Sequence, residues 1–248
     1  MPTKAKRLVL AVLPAVLALA GCGESGPAVG TPEWLWLAAV DNYAAGDFEK
    51  TQDQLGEILK SDNPWRTRAA VWRVAMLAGM ARASGELADA YESGAKKNPA
   101  RAASFQNPIQ QYRRDARRHT IALAETVGKL KKSLGDAGTV PLDFSLPPGT
   151  PSPSPDLGRV SDGTILRAGP AAKAKMDTIR RGLLLETAKA VNAGDNLAKA
   201  RSLLEAPPVE IPRPVFFLNL GRSLFERSGL FDRAHLNEIP KREFMLNR

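Results

Sequence analysis

Cysteine is nearly missing from this chain: its 248 residues include one, Cys22. No internal disulfide can form, which excludes the small disulfide-stapled secreted scaffolds. Histidine is almost as scarce, with His119 and His235 far apart in sequence. A His/Cys zinc site therefore lacks ligands, and no HExxH pair, phosphate-cradling glycine loop or nucleophile elbow occurs. Long apolar runs are missing too. The one apolar run of any length, Leu8 to Gly21, has fourteen residues, short of the roughly 20 that cross a bilayer as a helix, so a polytopic membrane protein is excluded. No stretch alternates apolar and polar residues as a half-buried strand does, and an all-α fold is expected. What is present is ordinary for a globular chain, 44% hydrophobic and 25% charged residues, with 35 Lys+Arg against 26 Asp+Glu.

The short apolar run has a specific setting. Lys4, Lys6 and Arg7 precede it and small residues end it, the arrangement of a secretory signal whose basic end stays cytoplasmic. It closes on Leu19-Ala20-Gly21-Cys22, which resembles the lipobox of bacterial lipoproteins. The resemblance implies a diacylglyceryl group on the Cys22 thiol, cleavage before Cys22, and an N-acyl chain on the new amino terminus. More than one acyl chain meets the requirement for stable anchoring. No other cofactor is expected. Removing the three leader cations leaves 32 positive against 26 negative charges, or +6. Export makes a nucleic-acid partner unexpected, whatever the charge. Gly23 in place of the aspartate linked to inner-membrane retention favours the outer membrane over the cytoplasmic membrane or a Gram-positive surface.

Residues 22–30 read as a flexible tether of roughly 18 Å reach. Thr31-Pro32-Glu33 then opens a helix, with an N-cap, a first-turn proline and an acid beside the positive helix end. Apolar residues continue at helical spacing to Tyr43, Ala45 to Asp47 breaks the helix, and Phe48, Thr51, Leu55, Ile58 and Leu59 form a second stripe. With Tyr43, Gly46, Phe48, Thr51 and Pro64 in position, this unit resembles a tetratricopeptide repeat, Thr51 and Ala39 departing from its usual small residues. Three further units repeat the plan: Ala69 to Pro99, a weaker copy with a turn expected at Ser84-Gly85 and Arg82 where an aromatic belongs; Arg181 to Ala206 with a turn at Gly194-Asp195; and Val215 to Pro240 with a turn at Ser228-Gly229 and Leu220-Gly221 matching the close-packing pair of the first repeat helix. The resemblance implies helical hairpins that stack to create a core none of them has alone.

Between the pairs, Asn107-Pro108 marks a helix start, and Ile109, Tyr112, Ala116, Thr120, Leu123, Val127, Leu130 and Leu134 trace one apolar stripe. Arg113, Arg114, Arg117, Arg118, Lys129, Lys131 and Lys132 against Asp115 and Glu125 leave this helix at +5. Gly135 ends it, and a Pro/Ser/Gly-rich stretch follows that reads as a linker. The organisation expected is a signal (1–21), a tether (22–30), an amino-terminal helical domain (31–134), a linker (135–160) and a carboxy-terminal helical domain (161–248), an all-α tetratricopeptide-like solenoid in two repeat pairs.

Two surfaces stand out. Trp34, Leu35, Trp36 and Leu37 wrap more than one helix face, and Asp41, Asn42 and Arg73 fall where repeat arrays of this type receive extended peptides. Arg113, Arg114, Arg117 and Arg118 form a basic face suited to an anionic partner. His119 and His235 read as partly buried helix residues, and no metal is expected. The function this supports is a lipid-anchored, non-enzymatic scaffold or adaptor for envelope proteins. The alternative is a binder of peptidoglycan or an anionic glycolipid through the basic helix, and an envelope hydrolase ranks behind both because no catalytic motif is found.

Overall fold

The computed structural model describes residues 26–146, 157, 168–194, 196–205 and 208–226. The signal, the lipobox, most of the Pro-rich stretch, and the last expected turn with His235 lie outside them. Helices dominate the described residues. The first is α1, Pro32–Ala45. The Thr31 side chain accepts from the backbone N–H of Trp34, and Gly46 at φ 82° caps the other end, a left-handed conformation in which a Cβ is strained. Asp47 caps α2, Phe48–Ile58, so this hairpin forms at the residues the sequence marks.

The second hairpin does not. Residues Arg66–Lys97 are one continuous helix, α3, which runs straight through Ser84-Gly85. A helix-interior glycine costs about 1 kcal/mol, and burial offsets it: Leu87, Ala88 and Tyr91 beyond it are all in the core. Arg82 and Glu86, one turn apart, pair at 2.9 Å across the expected break. A 3-10 turn, Pro99–Arg101, leads into α4, Ala102–Leu134. Pro108 lies inside α4 rather than at its start. Proline there costs roughly 3 kcal/mol, but the preceding turn is held by Phe105, which is fully buried against Tyr91.

The expectation of no strand is also corrected. Thr139–Leu142 (β1) pairs antiparallel with Val209–Pro212 (β2), Val140 opposite Ile211. The stretch read as linker thus begins as structure, and Phe144 just beyond it stacks on Trp72 at 5.8 Å. The chain continues with α5 (Ala168–Ala190), α6 (Leu197–Leu204) and α7 (Arg213–Glu226). Arg213 secures the ribbon: its backbone N–H donates to Gly138 O at 2.9 Å and its side chain to the carbonyls of Thr139 and Leu134.

Helix α3 is the axis of the molecule, packed by α2, α4, α5 and β1. One apolar core takes in residues from both the amino-terminal helices and α5, α7 and the ribbon. At its amino-terminal end are Trp36, Tyr43, Phe48, Trp65, Trp72 and Phe144, with Trp36 and Trp72 edge-on at 5.1 Å. At the α3–α5 crossing the backbones touch. A Cβ on Gly182 would sit 2.4 Å from Gly79 O, and one on Gly79 would sit 2.7 Å from the Leu183 backbone. Beside this contact Arg82 reaches the buried carboxylate of Glu186 at 3.2 Å and Arg181 reaches Glu86 at 3.1 Å. A second, smaller cluster joins Tyr91, Phe105 and Tyr112 to Leu157.

Candidate functional site

The tryptophans divide. Trp36 is buried between Trp65 and Trp72 and belongs to the core rather than to a surface. Trp34 is half-buried, and the apolar side chains that face outward from α1 are Leu37 and Val40, 48% and 42% exposed. Asp41 is exposed, whereas Asn42 holds the hairpin together, donating from Nδ2 to Ala38 O at 2.8 Å and to Gln54 Oε1 at 3.0 Å.

The basic face divides as well. Arg113 is spent on Asp89 and Glu92 of α3, at 2.7 and 2.8 Å, and Arg118 on Glu49 and Asp115, at 2.9 and 3.2 Å. Arg114 and Arg117 make no ion pair among the described residues. They line, with Arg118, Ile121, Ala122 and Glu125, a shallow depression of about 420 Å³ on the outside of α4, and the Nε of Arg117 is buried without a partner. His119 is 5% exposed, its Nε2 3.2 Å from Glu49 Oε1. That hydrogen bond holds the Glu49 carboxyl below its ordinary value against the opposing effect of burial.

Arg73 lines a second cleft. It is the lone charge in the run Ala69 to Ala81 of α3, and every other residue of that run is buried. Its guanidinium comes out between α2 and α4, where Nη1 donates to Thr126 Oγ1 at 3.0 Å. Gln52, with its amide oxygen turned toward Arg73, accepts from Nε at 3.0 Å and Nη2 at 3.1 Å. Both partners are neutral. Gly56 on α2 lies beside the guanidinium, where a Cβ would be in ordinary contact, 3.5 Å from Cζ of Arg73. Burial lowers the Arg73 pKa below the usual guanidinium value, opposed by the more distant carboxylates of Asp53 and Glu125.

Arg73 forms the floor of a groove of about 460 Å³ between the end of α2, the start of α3 and the end of α4. Leu59, Ala70, Leu130 and Leu134 supply apolar wall, Asn63, Thr67, Thr126 and Ser133 polar wall, and Lys60, Arg66 and Lys129 the rim. Lys60 pairs with exposed Glu57 at 2.7 Å and Arg66 with Asp62 at 3.8 Å; Lys129 has no ion pair among the described residues. Of the residues singled out in sequence, the groove takes Arg73 and Lys129 and brings neither Asp41 nor Arg113 to them. Gln52, Gly56 and Thr126 carried no recognisable signal beyond polar or small residues at helical spacing beside Leu55 and Val127. No three His, Cys, Asp or Glu side chains converge among the described residues, and no described helix is long and apolar enough to cross a membrane. No family model, curated protein or solved structure matches the chain.

Proposed function

We propose that the chain is a lipid-anchored protein of the bacterial envelope that acts without catalysis, as an adaptor that docks other envelope proteins. The observation that carries this reading is the lipobox, Leu19-Ala20-Gly21-Cys22, set ten residues ahead of a capped helix. Acyl chains on Cys22 fix the location, with the outer membrane favoured by Gly23. The tether sets the height, and the helical body presents its grooves to partners. The α1–α2 and α5–α6 hairpins keep the tetratricopeptide-like plan in this reading, while α3 and α4 are a long pair that departs from it.

Membrane fractionation tests the anchor. Wild type is expected to stay with membranes through a high-salt wash and Cys22→Ala to be released to the soluble fraction. Retention of Cys22→Ala would overturn it. In-cell crosslinking then tests the adaptor role, a dominant protein partner attached to the helical body being the expected result. A second reading, a binder of anionic envelope polymer, is favoured by Arg114 and Arg117, which make no ion pair among the described residues and line one depression on α4. Polymer binding lost on Arg114→Glu/Arg117→Glu and in high salt would support it.

A further inference from the structure

We propose that the groove between α2, α3 and α4 receives an acidic segment of a partner protein, with a side-chain carboxylate seated on Arg73. This rests on the reading of the chain as an adaptor and names the chemistry of its partner. An arginine has five N–H donors. Three of those on Arg73 are used by Gln52 and Thr126, leaving one on each terminal nitrogen, a fork that a carboxylate oxygen pair matches. Both hydrogen-bond partners are neutral, and among the described residues no carboxylate lies within ion-pair distance, Asp53 and Glu125 acting only from farther away. A half-buried guanidinium in that state gains more from an incoming carboxylate than an exposed one, because part of its hydration is already lost.

The surroundings select a peptide over a free anion. Gln52 occupies the Nε/Nη2 edge of the guanidinium and Gly56 of α2 lies beside it, so it offers one free edge rather than a cage. Leu59 and Leu130 flank it with apolar wall that an inorganic anion leaves uncovered. A segment that alternates an acid with an aliphatic residue fills both, and unpaired Lys129 meets a second acid at the rim. The Arg66–Asp62 pair is long, 3.8 Å, and its Asp62 side chain is 99% exposed, so Arg66 is free to exchange Asp62 for an incoming carboxylate at little cost.

The test uses the full lipoprotein in detergent micelles. Its probes are a short labelled peptide of alternating leucine and glutamate, and the same peptide with every glutamate replaced by glutamine. The glutamate peptide is expected to bind at least roughly tenfold more tightly than its glutamine counterpart. Arg73→Gln is expected to remove that preference and leave the glutamine peptide unchanged. Because Arg73 also ties α2 to α4, Lys129→Gln, on the exposed rim, is read beside it, with an expected loss of about threefold for the glutamate peptide alone. Arg114→Gln, outside the groove, is expected to change nothing. Equal affinity for the two peptides, indifference to both groove variants, or displacement by inorganic phosphate at equal concentration would each overturn the proposal. Crosslinks of a native partner to α7 or the outer face of α4 would sink the groove and spare the adaptor. Peptide binding with no native protein partner in cells would sink the adaptor instead.

Discussion

Helices α3 and α4 are nearly equal in length, 32 and 33 residues, lie side by side, and do different work. In α3, 19 residues are buried; in α4, 10 are, along one stripe. The difference comes from neighbours. Helix α3 is packed by α2, α4, α5 and β1, so small residues prevail where other backbones approach it. Helix α4 has an open side, where Arg114 and Arg118 are exposed. A helix surrounded in this way has little surface left for a partner. Within the run Ala69 to Ala81 the exception is Arg73, which reaches out between α2 and α4, and that is where the groove forms.

The sharpest test of this contrast is alanine in place of glycine, at the α3–α5 contact and at Gly85 of α3. Gly182→Ala or Gly79→Ala places a Cβ against backbone at the α3–α5 contact, and either is expected to cost about 3 kcal/mol or more in denaturant unfolding. Gly85→Ala meets nothing within 4 Å and is expected to stabilise by about 0.5–1 kcal/mol, as alanine does inside a helix. If Gly85→Ala destabilises instead, α3 turns at Ser84-Gly85 after all.

A smaller effect separates the two ends of the α3–α4 pair. Tyr112, mostly buried, is pushed up to about 12, chiefly by burial and then by the charges of Tyr91 and Asp115. An unfolded tyrosine ionises near 10.0. Its contribution is therefore complete below about pH 10 and falls as pH rises toward about 12, at up to roughly 1.4 kcal/mol per pH unit. Thermal melts between neutral pH and pH of about 11 should show this loss, and Tyr112→Phe should lessen it, with Tyr43 and Tyr91, which burial also raises, supplying the remainder. Should the variant lose stability as steeply as wild type, Tyr112 is not the residue responsible.

The smallest effect sharpens the division within the basic face. Arg113→Ala breaks the pairs to Asp89 and Glu92, in part exposed, and is expected to cost about 1 kcal/mol or less. Arg114→Ala breaks none and should stay within about 0.5 kcal/mol of wild type. Equal costs in chemical denaturation would show that the two arginines are not distinguished by their partners.

Local chemistry made the first hairpin legible: Thr31, Pro32, Gly46 and Asp47 are caps and turn residues whose effect spans a few bonds. Gly194 and the α5–α6 turn were legible for the same reason. Ser84-Gly85 and Asn107-Pro108 carry equally plain local signals, and there packing outweighed them, through Leu87 and Tyr91 in one case and Phe105 in the other. The ribbon of β1 and β2 escaped because each strand has four residues, contains a proline, and is completed by a partner about seventy positions away. In the groove, Arg73 was marked by its place in the repeat pattern, but its partners Gln52 and Thr126 come from two other helices.

Short-range preferences in the sequence determined the helical class, the caps of α1 and α2, and the apolar stripe of α4, because each depends on residues within one or two turns. Tertiary structure alone decided that α3 is continuous, that Phe144 lies on Trp72, and that Arg113 is neutralised while Arg73 is not. Those outcomes depend on which side chains distant segments bring within a few ångströms, and on burial whose free energy exceeds the cost of one misplaced glycine or proline.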